Sequence, residues 1–243
     1  MRQSRAGGER VESAAAMSDE RPRHSAQQPY ALPRQATRIV LVRHGSSAVA
    51  PPGAEPFGLL DGHSDPPLAP PGREQAEAVC ARLEGERPGR IFVSTLRRTQ
   101  ETAAPLLAAL GAEPTVVPEL REVHLGEWEG QFTNRVSSRD PTMAAMLAEQ
   151  RWDVIPGAEP TADFRRRVDA GLHRVLAETG PGGTAVVFSH GAVIAEICRF
   201  VTESRPLAFL FAENTSLTRI AHVRDGNWVL RSFNDVSHLP PPD

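Results

Sequence analysis

A chain of 243 residues, 40% apolar and 23% charged, is long enough to bury a sizeable core in one domain and has the balance of a globular protein. Its formal net charge of -3 argues against nucleic acid as a partner, and no apolar run approaches the roughly 20 residues that a membrane-spanning helix needs. All 27 cationic side chains are arginines, so Schiff-base chemistry, pyridoxal phosphate attachment and a Walker-type phosphate loop are excluded, and anion binding falls to arginine, histidine and backbone N–H groups.

Residues 1–36 are polar and aperiodic and read as a disordered tail, with Met17 as an alternative start. The tail has no apolar leader segment, and the two cysteines, Cys80 and Cys198, read as buried free thiols; both fit a cytoplasmic location. The folded domain is expected over 37–238. Its first strand is Arg38–Val42, short, β-branched and apolar on both faces, and it runs into Arg43-His44-Gly45. The spacing predicts a helix over 72–86 with Ala76, Val79 and Leu83 on one face. A second strand, Arg90–Val93, leads into Ser94-Thr95-Leu96-Arg97-Arg98. The helix expected over 97–110 turns Thr99, Ala103, Leu106 and Leu110 inward, with a kink or restart at Pro105.

Thr115–Val117 is a further short strand, and residues 131–155 fit no strand pattern and suggest a small helical cap. A helix over 161–178 aligns Phe164, Val168, Leu172 and Val175. Strand Thr184–Phe188 runs into Ser189-His190-Gly191 and a helix over 192–201. Leu217–Val223 and Trp228–Phe233 flank an Asp-Gly turn and read as a hairpin. Strands alternating with amphipathic helices give an α/β fold: a mainly parallel central sheet with an antiparallel edge and helices on both faces.

In such sheets ligands bind beyond the carboxyl ends of the strands. Two buried strands end in a histidine followed by glycine, and a third delivers arginines to a helix start. A single His-Gly pair is a weak signal; two in equivalent places, with the Arg97-Arg98 helix start on the same edge, point to an anion site. A neutral imidazole is nucleophilic near neutral pH, arginine's planar fork binds phosphate oxygens in pairs, and a carboxylic acid beside a phosphate keeps its proton and can protonate a leaving alcohol. Neither cysteine is followed by Arg at the spacing of a cysteine phosphatase, and no Gly-x-Ser-x-Gly elbow is present. No His-x-His or helical His-x-x-x-His spacing marks a metal site, and no cofactor is called for.

Arg43-His44-Gly45, Ser94-x-Leu96-x-Arg98, Leu120-x-Glu122-x-x-x-Gly126-x-Trp128-Glu129-Gly130 and Ser189-His190-Gly191, in that order, resemble the histidine phosphatase, or phosphoglycerate mutase-like, superfamily over about residues 38–235. Asp65-x-Pro67-Leu68 and Gly72-x-x-Gln75-Ala76 add to the resemblance. It implies that His44 is a nucleophile that becomes phosphorylated. Arg43, Arg98, His190 and Gly191 would surround the phosphate, and Glu122 would be the proton donor. Ser46-Ser47 and Pro51-Pro52 depart from the family's usual Glu-Thr and Asn; Ser47 still offers a hydroxyl to phosphate. The short segment after Glu129 resembles the phosphatase branch, so the expected partner is a small phosphorylated substrate. A mutase that returns the phosphoryl group and a silent phospho-ligand-binding protein are the alternatives, and a homodimer stays open.

Overall fold

The computed structural model describes residues 31–49, 57–223 and 226–241. The expected tail lies outside these up to residue 30, as do the Pro51-Pro52 departure and Arg224-Asp225 of the hairpin turn. Residues 32–36, read above with the tail, pack on the compact unit that starts at Leu32: Ala36 is buried, and the carbonyl of Gln35 accepts from the N–H of Gly182.

The chain forms β1 (Thr37–Arg43), a small hairpin of β2 (Leu59–Leu60) and β3 (His63–Ser64), α1 (Pro70–Leu83), β4 (Arg90–Val93), α2 (Arg97–Leu110) and β5 (Thr115–Val116). Two short cap helices follow, α3 (Phe132–Ser137) and α4 (Pro141–Glu149). Then come α5 (Thr161–Thr179), β6 (Thr184–Ser189), α6 (Gly191–Thr202), β7 (Leu217–His222) and β8 (Trp228–Asp235). No helix among the described residues is long and apolar enough to cross a membrane.

Six strands form one sheet in the order β5-β4-β6-β1-β7-β8, parallel from β5 to β1 and antiparallel through β7 and β8. Period-two alternation divides its side chains between two cores. Ile39, Leu41, Phe92, Ala185 and Val187 meet the Phe164–Val168–Leu172–Val175 stripe of α5 and Val193, Ile194 and Ile197 of α6. Val40, Val42, Ile91, Val93, Val186 and Phe188 meet Val79 and Leu83 of α1 and Ala103 and Leu106 of α2. Because both faces are covered, these strands read as unbroken apolar runs.

Two details differ from the sequence reading. Helix α2 runs without interruption through Pro105, which costs only the hydrogen bond to the Glu101 carbonyl while Thr102, Ala103 and Leu106 stay buried around it. Leu110 is 43% exposed; Leu107 packs on the core in its place. Trp152 lies in the core beneath the cap.

Strand β6 occupies the slot between β4 and β1, filled last among the parallel strands. The chain leaves β1 in one direction and β6 in the other, so a crevice opens at their carboxyl ends. Register does the rest: Arg43 pairs with Ser189, and Phe188 pairs with both Val42 and Val93. His44, His190 and Ser94 therefore emerge side by side.

Candidate active site

Every backbone group around His44 is held. The N–H of Arg43 donates to Ser216 O and that of His44 to Ser189 O, while His44 O accepts from Asn214 Nδ2 at 2.8 Å. The N–H of Gly45 donates to Thr102 Oγ1 (3.0 Å), whose hydroxyl donates to Arg98 O (2.6 Å), and Ser46 N–H donates to Gln75 Oε1. Gly45 also lies against Gly72 at the start of α1. A Cβ on Gly45 would lie 2.5 Å from Gly72 O, and one on Gly72 would collide with Ser46 O, so both positions need glycine for close approach.

The imidazole of His44 has one protein partner: Nδ1 lies 2.8 Å from Gly45 O. A carbonyl can only accept, so Nδ1 carries the proton and Nε2 keeps its lone pair. Burial, Arg98 and Arg43 together hold the pKa of His44 well below the ordinary histidine value, which keeps the ring neutral. His190, fully buried, is held neutral by burial, Arg98 and His44. Its ring lies 5.3 Å from that of His44, centroid to centroid. His190 Nε2 meets Ser94 Oγ at 2.8 Å, and its Nδ1 is buried without a partner.

Three further features complete the cradle. Arg43 donates through Nη1 to Ala212 O, and its Nε is buried and unpartnered, as is Ser47 Oγ. Arg98 donates through Nη1 to Ser64 O at 2.9 Å, which ties it to the β2–β3 hairpin. Gly191, the first residue of α6, leaves Arg43 Nε room: a Cβ there would stand 3.6 Å away. Buried polar groups without partners are uncommon, and here Arg43 Nε and His190 Nδ1 lie in one site beside His44 and Arg98. Such a set suits a tetrahedral oxyanion.

Glu122 closes the site. Its Oε1 accepts from Val123 N–H at 3.0 Å and its Oε2 from Ala192 N–H at 3.4 Å, in the first turn of α6. Burial raises its pKa against the opposing pull of Arg98, these two N–H groups and Arg43. The same carboxylate supports the charge of Arg43 and Arg98 against their own burial. The crevice thus brings together His44, His190, Arg43, Arg98 and Glu122, with Gly191 at its edge; Ser47 follows on the His44 segment, bridged to Leu68, with its hydroxyl buried.

Several supporting residues had no assigned role in the sequence reading. Thr102, Asn214 and Gln75 fasten the His44 segment, and Glu129 accepts from Ser64 N–H and Leu125 N–H, joining the hairpin to the Glu122 loop. His63 and His124 stack edge to face at 5.1 Å beside that loop. Among the described residues no group of three or more metal-ligating side chains converges. Both cysteines are free and buried.

Residues 39–236 match the model of the histidine phosphatase superfamily, branch 1. A metal-independent phosphoserine phosphatase of Arabidopsis thaliana is 29% identical over 208 residues, covering 84% of each chain. Phosphoglycerate mutase-like protein 4 of the same organism is 33% identical, covering 83% of this chain and 86% of that one. Among solved structures, a mutant phosphoserine phosphatase from Entamoeba histolytica in complex with phosphoserine superposes with a TM-score of 0.68 at 25% identity, over 84% of this chain and 100% of that one. A mycobacterial glucosyl-3-phosphoglycerate phosphatase in complex with inorganic phosphate gives 0.66 at 27% identity, over 84% and 99%.

Proposed function

Because the chain belongs to the histidine phosphatase superfamily, we propose that it hydrolyses a small phosphorylated metabolite through a phosphohistidine at His44. The observation that carries this reading is the His44 Nδ1–H···O=C bond to Gly45, which leaves the Nε2 lone pair free in a crevice shared with Arg43 and Arg98.

A phosphomonoester dianion repels a nucleophile until its charge is spread. Arg43 and Arg98 meet that need with guanidinium groups that do not lose their protons. His44 Nε2 attacks phosphorus; the N–P bond forms as the P–O bond to the leaving alcohol breaks. Burial raises the pKa of Glu122, and the negative charge of a bound phosphate raises it further; in its protonated form Glu122 gives that proton to the departing oxygen. His190 Nδ1 and Ser47 Oγ hydrogen-bond the oxygens of the transferring group. Water then attacks phospho-His44, the Glu122 carboxylate takes its proton, and inorganic phosphate leaves. No step calls for a metal ion.

The relatives and neighbours named above suggest the first substrates to try: phosphoserine and glucosyl-3-phosphoglycerate. The test is phosphate release from these and from p-nitrophenyl phosphate, with acid-quenched protein analysed for an acid-labile phosphoenzyme that His44→Ala lacks. Phosphate release without a phosphoenzyme in wild type, or an undiminished rate in His44→Ala, refutes the mechanism. Incubation with 3-phosphoglycerate and a 2,3-bisphosphoglycerate primer separates the mutase reading: rapid 2-phosphoglycerate without free phosphate would establish it.

A further inference from the structure

Glu122 stands on irregular backbone: one 3-10 turn over 118–120, then no helix or strand until a second such turn at Gly126. Partly buried backbone of this kind needs partners for its carbonyls that neither helix nor sheet supplies. Here four carbonyls in succession accept from side chains. Arg167 Nη1 donates to Glu119 O (2.8 Å) and Arg121 O (2.6 Å), and Arg167 Nη2 donates to Glu122 O (2.8 Å). Ser189 Oγ donates to Leu120 O at 2.9 Å.

Arg167 spends its remaining donors on Glu159, Nε to Oε1 at 2.7 Å and Nη2 to Oε2 at 2.8 Å. All five N–H groups of the guanidinium are thus engaged, and none is left for a substrate. The plane of the guanidinium is supported from below, 4.9 Å from the centroid of Phe164. Glu159 fastens the far side of the loop: its Oε2 accepts from His124 N–H and its own N–H donates to His124 O. Helix α5 fits closely against this turn, since a Cβ on Gly171 would come within 2.8 Å of Leu120 Cδ2.

We propose that Arg167, locked by Glu159, is a positioning residue for Glu122, fixing the backbone from which the carboxyl reaches the leaving oxygen. This rests on the reading of Glu122 as proton donor. The step concerned is the transfer of the Glu122 proton to the ester oxygen while the P–O bond breaks. A misplacement of about 1 Å can cost on the order of 10²-fold in rate. Lysine, a point charge with three donors, cannot replace the planar fork.

The consequence is selective. A leaving group that departs readily without a proton tolerates a displaced acid; a poor one does not. The experiment compares kcat/KM across substituted phenyl phosphates, from p-nitrophenyl phosphate to phenyl phosphate, for wild type, Arg167→Lys and Glu122→Gln. For both variants the loss on phenyl phosphate should exceed that on p-nitrophenyl phosphate by roughly tenfold or more, while competitive inhibition by inorganic phosphate stays as in wild type. If Glu122→Gln shows this pattern and Arg167→Lys loses equally on both esters, Arg167 is structural only and the inference is wrong. If Glu122→Gln lacks the pattern, the acid role of Glu122 is what fails. Should Arg167→Lys not fold, Glu159→Gln, which frees the guanidinium to tilt, is held to the same criterion.

Discussion

His44 and His190 each follow a buried parallel strand and precede a glycine, and their rings face one another, yet their nitrogens are treated differently. His44 is tied to a backbone carbonyl, which accepts and never donates, so one tautomer is fixed and Nε2 is the presented atom. His190 is tied to a hydroxyl. Ser94 Oγ is itself in contact with Thr99 Oγ1 at 3.1 Å and accepts from Leu96 N–H. It can donate to His190 Nε2, leaving Nδ1–H facing the crevice, or accept from Nε2–H and leave Nδ1 bare. Equivalent strand ends thus yield one ring with a set role and one whose proton can follow the charge beside it.

The sharpest way to break this contrast is to remove each ring. His44→Ala should lose roughly 10⁴-fold or more in kcat/KM and all phosphoenzyme, as the loss of a nucleophile does elsewhere. His190→Ala should lose about 10²–10³-fold, the scale of one missing oxyanion donor, and still form phosphoenzyme at His44. Equal losses with no phosphoenzyme in either variant would erase the distinction.

Ser94→Ala is the finer test. It leaves His190 Nε2 without a partner and should cost about tenfold in kcat/KM, the order expected for one unpaired buried hydrogen-bonding atom. ¹⁵N NMR with inorganic phosphate bound should report Nδ1–H at His190 in wild type and a mixture of tautomers in the variant. The His44 signals should be the same in both.

The smallest effect is on acid stability. His44 and His190 both have folded-state pKa values below the ordinary histidine value, so the unfolded chain binds their protons first as pH falls. Their contribution is complete above about pH 6.5 and is lost below it, at up to about 1.4 kcal/mol per pH unit for each ring. Thermal melts from pH 7 to pH 5 should fall more steeply for wild type than for His44→Gln or His190→Gln. In activity, lowered His44 and raised Glu122 widen the window in which one is bare and the other protonated. The acid limb of kcat/KM should therefore lie below an ordinary histidine's and the alkaline limb above an ordinary carboxylate's.

The strands, the helix stripes and the two His-Gly ends were legible because periodicity and chain order are local properties. Arg98 could be separated from Arg97 only by resemblance; in the structure Arg98 is buried, while Arg97 is half exposed beside Glu101. Thr102 and Asn214 escaped, and Gln75 appeared only as a motif position without a role, because a side chain that meets a distant backbone group leaves no spacing in the sequence. Arg167 was not separable from Arg165. Spacing separates Arg166, which is exposed, from Arg165 and Arg167, which both border the buried stripe and are both half-buried, but it does not choose between those two. Leu110 was misread because the stripe was extended one turn too far, to where the helix ends at Gly111 in a left-handed cap.

The contact between Gly45 and Gly72 carries a lesson about mutational tolerance. Neither position does chemistry, and neither has a conformation that demands glycine. Yet a methyl group on either would push on the peptide whose oxygen orients the nucleophile. In a saturation scan read by activity, both positions should be as unforgiving as His44 itself, and a change at one should be rescued only by a shift in the backbone of the other.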